Sequence, residues 1–471
     1  MKKTFNAFLG SGVFLIAALV IMLMKPFTPE LSGEGQLALG GLLITIGIWI
    51  FKPLNIPFSI GGVFLAFFML ALGLKPAVVF SGFTQSAVWT LIPALFFGCI
   101  LQKTGLGRRI ALTIIRFCKP TYPSMIFAWV LIGVALSLLT PSITVRIAII
   151  VPIAVYCNEL FGLKPGSRGN SLLLLTAFAM ALVPGTGWLS GSLSGPILKG
   201  LFDSDPALEG LITFASWSRV ALIPMGIVTV ILAIAGYFVL RPDDRLAEGV
   251  ITTLSTLETE PLSSKEKVSG IILVAVFAFF VTNRFHGIPD AAVCLAALFL
   301  FYAFRILDVK EFSTGINWDL IVFIGMALSL GQVFSVTGIS GWIAGIVVPA
   351  IAPIASDPWV FVYTVTVILF LWRFIDIAFM IPTMAILTPL LPEIYATYGI
   401  SPLVWVTIFV MAIGSVFMSY QNMWALMTES FAGDRAWTKK HLGAYGLTYF
   451  IVCLAALAAA IPIWIKMGLF R

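Results

Sequence analysis

The stretch from Leu136 to Ile150 reads L-S-L-L-T-P-S-I-T-V-R-I-A-I-I, and it decides the fold because a proline and several polar residues interrupt an apolar run. A proline inside a helix removes a backbone hydrogen-bond donor and clashes with the preceding turn. The same residue is well suited to the first turn of a new helix. We therefore predict that one helix ends near Thr140 and that a second helix begins just after it.

The composition around this stretch is that of a membrane protein. Of the 471 residues, 60% are hydrophobic and 10% are charged, and the mean hydropathy is +1.06. Soluble domains carry about 25% charged residues. Apolar runs of about 20 residues, the length that crosses a bilayer core, recur along the chain. The sequence predicts an all-α polytopic membrane protein.

The apolar runs predict about eleven transmembrane helices plus two re-entrant hairpins. The two hairpins, at residues 122–160 and 358–397, each have a polar break near the centre and arms predicted to be too short to cross. Most Lys and Arg residues then fall on the side of the N-terminus, which predicts a cytoplasmic N-terminus, an outside C-terminus and an inner (plasma) membrane location. The predicted spans are residues 7–24, 36–52, 58–74, 85–102, 171–200, 217–240, 268–284, 290–306, 317–335, 402–432 and 441–466.

The tip of the first hairpin has the chemistry of an anion site. Non-helical backbone at membrane depth is tolerated only against protein or a water-filled cavity. A helix N-terminus offers free N–H groups and a partial positive charge, which suit a carboxylate. The hydroxyls of Thr140, Ser142 and Thr144 either contact such an anion or only cap the helix, and the sequence leaves both roles open.

Two arginines fall inside the apolar stretches. Arg146 follows Ser142 by four residues, and a buried arginine is costly unless it is paired, so it is a candidate substrate ligand. A protein partner or a snorkelling side chain is the alternative. Arg373 and Asp376 precede Thr383 in the second hairpin, and their spacing fits a structural ion pair as well as a substrate or proton-coupling role.

The order of features occurs twice, which predicts two inverted-topology repeats. Residues 1–240 form the first repeat, 241–267 a cytoplasmic linker and 268–471 the second repeat. Each repeat has a hairpin followed by an unwound helix, at 171–200 and at 402–432. Inverted repeats with matching interrupted helices indicate the binding site of a transporter. The unwound segments contain Gly185, Thr186 and Gly187 in the first repeat and Tyr420, Gln421 and Asn422 in the second.

The motif Thr140-Pro-Ser-Ile-Thr-Val-Arg146 resembles the T-P-S-N-T-A-R motif of the divalent anion:sodium symporter family, in its exchanger branch of citrate/succinate and 2-oxoglutarate/malate translocators. Ile143 stands where that motif has Asn, and Phe379-Met-Ile-Pro-Thr383 stands in the region of the family's second S-N-T motif. The resemblance implies a scaffold, a transport part that moves as an elevator, and a homodimer. It also implies that Ser142 and Thr144 bind substrate and that Gly185–Gly187 helps to form a cation site.

The sequence therefore predicts a secondary active transporter of small anions, such as di- or tricarboxylates, rather than an enzyme. Its expected partners are a small anion, the bilayer and a second copy of the chain, but not nucleic acid. No cofactor is expected, and sodium ions or protons are the candidate coupling ions. A channel, a membrane interaction protein, a membrane-embedded enzyme or a carrier of another substrate is the alternative. The predicted substrate residues are Thr140, Ser142, Thr144, Arg146, Arg373, Thr383, Tyr420, Gln421 and Asn422, and the predicted coupling residues are Gly185, Thr186, Gly187 and Asp376.

Overall fold

A computed structural model describes residues 2–243, 246, 261–376 and 380–471, with side chains from residue 9 onward. The described chain is helical, and its one β-type contact is an isolated bridge between Ile400 and Phe470. The predicted fold class is confirmed. Most of the predicted linker lies outside the described residues. A helix begins at Ser264, within the range 241–267 that was predicted for the linker.

The first half contains eleven α-helices. They are α1 (Lys2–Met24), α2 (Gly33–Phe51), α3 (Phe58–Ala71), α4 (Pro76–Val79), α5 (Ser86–Thr104), α6 (Leu106–Arg116), α7 (Tyr122–Leu139), α8 (Ile143–Leu160), α9 (Arg168–Leu182), α10 (Ser194–Asp203) and α11 (Phe214–Leu240).

Eleven more α-helices are described after the linker. They are α12 (Ser264–His286), α13 (Asp290–Ala303), α14 (Val309–Thr314), α15 (Trp318–Thr337), α16 (Ile339–Ala355), α17 (Pro358–Trp372), α18 (Ile381–Leu387), α19 (Leu391–Tyr398), α20 (Pro402–Ile413), α21 (Met423–Ala432) and α22 (Lys439–Lys466).

Within the described ranges, nine helices are long and apolar enough to cross a membrane, and six shorter apolar helices accompany them. One prediction about length was wrong. The arms of the first hairpin, α7 and α8, have 18 residues each, or about 27 Å at 1.5 Å per residue, so they are not too short to cross. Helix α16, which contains two prolines, lies outside the predicted spans and hairpins.

The same order of elements occurs in both halves of the described chain. A long helix ends at a glycine and leads into a second helix, then a hairpin, a broken helix and a final long helix. The sequence α5 to α11 follows this order, and so does the sequence α15 to α22. The hinge glycines correspond, since Gly105 has φ +78° and Gly338 has φ +75°. Only glycine adopts this left-handed conformation without strain, so both hinges depend on it.

Both broken helices are interrupted by 3₁₀ turns. We call residues 183–193, between α9 and α10, the first broken segment, and residues 414–422, between α20 and α21, the second broken segment. The first contains the turns Pro184–Gly187 and Leu189–Gly191, and the second contains Ser419–Gln421. The unwound stretches predicted from the polar breaks are therefore present in both halves.

Helix packing places the broken helices in the interior. Every residue of α9 after Arg168 is buried, and α9 packs between α7, α8 and α11. Helix α11 packs along α22 and α20, and α21 of the second half packs on α8 of the first. A second group of contacts joins α1, α2, α3 and α15, while α5 packs on α13 and α10. The two hairpins and the two broken helices thus meet at the centre of the molecule.

Candidate functional site

The first hairpin breaks where the proline predicted. Helix α7 ends at Leu139 and α8 begins at Ile143, with Ser142 as its N-cap. The hydroxyl oxygen of Ser142 accepts a hydrogen bond from the backbone N–H of Val145 at 3.4 Å, and that of Thr140 accepts one from the N–H of Ser142 at 3.1 Å. Capping by Ser142 is therefore observed. It leaves the hydroxyl proton of Ser142 available for another partner, since the capping bond uses only the oxygen.

The first broken segment is held by close backbone contacts and by indole groups. A Cβ atom on Gly185 would lie 2.1 Å from the carbonyl oxygen of Gly191, so only glycine fits there. The indole N–H of Trp217 donates to the carbonyl of Thr186 at 3.0 Å, and the hydroxyl of Thr186 donates to the carbonyl of Val183 at 2.7 Å. These bonds partly satisfy backbone groups that the break would otherwise leave unpaired.

Arg146 is fully buried behind this segment. Its guanidinium lies against Gly185, where an added Cβ atom would be 2.5 Å from Nη1. None of its three side-chain nitrogens has a hydrogen-bond partner among the described residues. Arg146 does not line the cavity, whereas Ser142, Thr144 and Ala148 do. A residue two positions from Thr144 points to the other side.

The second hairpin breaks between Trp372 and Ile381. Arg373 is buried there, and its guanidinium donates to the carbonyl of Asp376 and, at 2.5 Å, to the carbonyl of Gln421. It therefore joins the hairpin break to the second broken segment.

The polar groups of this second break are largely used within the protein. The hydroxyl of Thr383 donates to the carboxylate of Asp376 and accepts a bond from the indole of Trp372 at 2.9 Å. The carboxylate of Asp376 also interacts electrostatically with Arg373. A structural pairing of Arg373 and Asp376, one of the two roles left open by the sequence, fits these contacts.

Side chains of the second broken segment also form local hydrogen bonds. The side-chain oxygen of Gln421 accepts from the N–H groups of Phe417 at 2.8 Å and Met418 at 2.9 Å. The side-chain oxygen of Asn422 caps α21 by accepting from the N–H of Trp424 at 3.0 Å. Their amide nitrogens are buried without partners among the described residues, whereas Tyr420 is 46% exposed.

One cavity of about 770 Å³ lies where these elements meet. Both hairpins and both broken helices contribute to its wall. Four of the predicted site residues line it: Ser142, Thr144, Thr186 and Tyr420. The other predicted site residues lie outside this lining, and their functional roles stay predictions. They are Thr140, Arg146, Gly185, Gly187, Arg373, Asp376, Thr383, Gln421 and Asn422.

The structure adds lining residues that the sequence did not single out. Trp424 donates from its indole to the hydroxyl of Thr144 at 3.2 Å, so it joins α21 to α8 across the two halves. The hydroxyl of Ser194 also lines the cavity, bonded to that of Ser192, a serine of the predicted unwound helix 171–200. The signal for Trp424 was its position just after a recognised break. Met384, Met423 and Met427 gave no signal, because isolated methionines in apolar helices look like packing residues.

The cavity extends from the breaks to the ends of α2, α5 and α15. Lys52 lies there, with its ammonium 3.3 Å from the ring centroid of Phe58. The carboxylate of Asp319 accepts hydrogen bonds from the N–H groups of Phe58 at 3.3 Å and Ser59 at 2.7 Å. These helix ends are the ones that the charge distribution places on the cytoplasmic side.

One charged side chain lies beside the segment that was predicted to bind a cation. Among the residues that the structure describes, no group of three or more His, Cys, Asp or Glu side chains could hold a metal ion. The predicted cation segment, Gly185–Gly187, packs against the guanidinium of Arg146. Like charges repel strongly where the surroundings are apolar, so the guanidinium disfavours a second cation beside it.

Comparison with known sequences places this architecture among transporters. The family model for the sodium:sulfate symporter transmembrane region matches residues 8–467. A "membrane protein" of Cupriavidus necator is 25% identical, over 72% of this chain and 69% of its own length. The putative malate transporter YflS of Bacillus subtilis is 24% identical, over 56% of each chain.

Two further relatives are named for their substrates. The L-tartrate/succinate antiporter of Escherichia coli K12 is 24% identical, over 62% of this chain and 61% of its own length. Dicarboxylate transporter 1 of Arabidopsis thaliana chloroplasts is 20% identical, over 63% of this chain and 54% of its own length. The matched regions therefore span less than two thirds of the relatives that are named for a substrate.

A solved structure has the same fold. The YdaH transporter of Alcanivorax borkumensis superposes with a TM-score of 0.56 at 15% sequence identity, and the match covers 100% of both chains. At this identity the likeness concerns the fold alone. It agrees with the helical architecture described above.

Proposed function

Because the chain belongs to the sodium:sulfate symporter transmembrane family, we propose that it is a secondary active carrier of small anions. Di- and tricarboxylates and similar oxyanions are the first solutes to test, since relatives are named for malate, tartrate, succinate and dicarboxylates. The observation that carries the proposal is a cavity of the described chain to which both hairpins and both broken helices contribute. Such midplane breaks are where carriers with repeated halves hold their substrates.

The anion is held at the start of α8 in this proposal. The N-terminus of α8 and the hydroxyls of Ser142 and Thr144 supply hydrogen-bond donors, and Arg146 supplies a full positive charge behind the wall. An uncompensated charge in an apolar interior acts over several ångströms, because little water screens it. Thr186 borders the same space on the first broken segment.

Transport follows an elevator-type alternating-access cycle in this proposal. Residues 1–240 and 268–471 are the two inverted repeats, and their hairpins and broken helices move together past the remaining helices. The packing of α8 on α9, and of α21 on α8, supports one mobile body. The described state is the inward-facing one, because the cavity reaches the predicted cytoplasmic ends of α2, α5 and α15. The chain works in the plasma membrane as a homodimer, with its N-terminus inside.

Exchange or proton coupling fits the site better than sodium symport. The guanidinium beside Gly185 occupies the region predicted for a cation, and Coulomb repulsion opposes a sodium ion there. Flux into proteoliposomes, measured with and without a sodium gradient and with and without an internal anion, separates the modes. We expect flux that needs internal anion or a pH gradient and does not need sodium.

Arg146→Met tests the proposed function most sharply. We expect the variant to lose saturable anion flux and yet to unfold at a higher temperature, because replacing an unpaired buried charge by an apolar side chain stabilises a protein by about 1–4 kcal/mol. Proteoliposome uptake and thermal unfolding of the purified protein are the two measurements. Arg284→Met is the matched control, since Arg284 is exposed. It should change neither the anion flux nor the unfolding temperature. Saturable anion flux that survives in Arg146→Met would contradict the proposed role.

A further inference from the structure

The hydroxyl groups near the helix breaks are unevenly distributed over the cavity wall. The first half contributes Ser142 and Thr144 from the hairpin tip and Thr186, Ser192 and Ser194 from the broken segment, among apolar side chains such as Ile143 and Leu193. Near its own breaks the second half contributes the phenol of Tyr420 and a larger apolar group, namely Ile381, Met384, Val410, Met423, Trp424 and Met427. The element order repeats between the halves, but the chemistry that faces the cavity does not.

The reason for this asymmetry lies in the hydrogen bonds of the second hairpin. Thr383 is bonded to Asp376 and Trp372, so its hydroxyl is already used. The side-chain oxygens of Gln421 and Asn422 accept backbone N–H groups. The Thr383 hydroxyl and these amide oxygens are therefore used within the protein, and the amide nitrogens of Gln421 and Asn422, which have no partner among the described residues, lie outside the cavity lining.

The charges in and behind the cavity wall are balanced except for one. Arg373 interacts with the carboxylate of Asp376, and Lys52 interacts with the carboxylate of Asp319. Arg146 is the buried guanidinium for which no hydrogen-bond partner and no carboxylate is found among the described residues. A solute with one negative charge would neutralise this site, whereas a dianion would leave one charge uncompensated in an apolar surrounding.

The volume also favours a solute with an apolar body. A cavity of about 770 Å³ lies in the range that holds drug-sized ligands. A small, fully polar dianion would leave the methionine and tryptophan side chains in contact with trapped water. Methionine is flexible and polarisable, and tryptophan offers a flat apolar face, so the two together suit aliphatic and aromatic groups of varied shape.

We propose that the substrate is an amphipathic monoanion. One oxyanion group lies at the start of α8, on the side of the cavity next to Arg146, and an aliphatic or aromatic body lies against Met384, Trp424 and Met427. This inference rests on the proposed function, since it takes this cavity as the transport site.

Alkanesulfonates test the inference, because they stay charged at neutral pH and do not cross a bilayer as neutral acids. Isothermal titration of the purified full-length chain compares ethane-, butane- and hexanesulfonate with a butanedisulfonate that has a charge at each end. Each added methylene should raise the affinity about fourfold until the cavity is filled. Butanesulfonate should bind more tightly than butanedisulfonate, and hexanesulfonate should drive saturable counterflow in proteoliposomes.

Methionine variants locate the apolar end. Met384→Ser and Met427→Ser should each weaken hexanesulfonate binding about tenfold, because each removes a buried apolar contact. Both variants should bind ethanesulfonate as the unmodified chain does, which also shows that they are folded. Met467→Ser, outside the cavity lining, should change neither affinity.

The possible outcomes separate the two proposals. If butanedisulfonate or succinate binds more tightly than every monosulfonate, with saturable flux that Arg146→Met abolishes, the monoanion inference is overturned and the proposed function stands. If affinity does not rise with chain length, or the methionine variants weaken both sulfonates equally, the inference is also overturned. If no anion gives saturable flux, both proposals fall.

Discussion

At the scale of single residues, the site depends on which polar groups are already used. Thr383, Gln421 and Asn422 have the residue types expected of substrate ligands, but their hydrogen bonds go to protein groups. Ser142 and Thr144 face the cavity instead. The amide nitrogens of Gln421 and Asn422 have no partner among the described residues, but they lie outside the cavity lining. An oxygen that is already bonded gains little from a ligand, whereas a free donor that faces a cavity gains a full hydrogen bond.

The bond between Trp424 and Thr144 gives a prediction at this scale. It joins the two halves at 3.2 Å beside the cavity. A double-mutant cycle of Trp424→Phe and Thr144→Val, followed by thermal or denaturant unfolding, should give a coupling of about 1 kcal/mol. Trp89→Phe combined with Thr144→Val is the control and should show no coupling, because Trp89 donates to Phe83 instead. Purely additive effects for the first pair would mean that the bond does not join the halves.

At the scale of elements, the broken segments need glycine for steric reasons. Gly185 and Gly191 approach each other so closely that a Cβ on either would meet the other's backbone. Gly195 is similarly close to the carbonyl of Leu189, at 1.8 Å from an added Cβ. Backbone cannot move aside as the end of a flexible side chain can, so the shape of the first broken segment depends on these positions.

Gly185→Ala should therefore destabilise the protein by steric overlap and not through a loss of backbone flexibility. The added methyl group would lie 2.1 Å from Gly191 O and 2.5 Å from Arg146 Nη1. We expect destabilisation of about 1–3 kcal/mol from overpacking, together with loss of anion flux, both measurable on the purified chain. Gly226→Ala in α11 is the matched control. Nothing lies within 4 Å of its added Cβ, so it should be neutral or stabilise by about 0.5–1 kcal/mol. Equal effects of the two substitutions would contradict this packing.

The helix breaks could be predicted from the sequence, but the packing around them could not. Proline and glycine in apolar runs act locally, so Thr140-Pro141-Ser142 and Gly185-Thr186-Gly187 identify the breaks by themselves. Whether Arg146 faces the cavity depends on where α8 begins and on what packs behind it. Tertiary contacts decide that, and they also decide that methionines of the second half line the cavity. The helix α16 was missed for a local reason, because its prolines at 349 and 353 obscure a helix that the structure continues through.

At the scale of the whole molecule, two halves with the same order of elements build one cavity whose chemistry differs from side to side. The shared order accounts for the paired breaks and for the matching hinges at Gly105 and Gly338. In the proposed binding mode, the first half binds the charged group, and the methionine and tryptophan side chains of the second half contact the apolar body. Affinity for charge and selectivity for shape can then change independently, because they depend on different residues.

In the proposed transport cycle this cavity faces the two sides of the membrane in turn, and the accessibility of Met423 is the measurement that can show it. Met423 lines the cavity and is 41% exposed. Met423→Cys, in a chain whose five native cysteines have been replaced, is treated with a membrane-impermeant maleimide in right-side-out and inside-out vesicles. The account predicts labelling from both sides, slowed by a transported anion. Labelling from one side only, in vesicles that still carry out saturable anion flux, would contradict it.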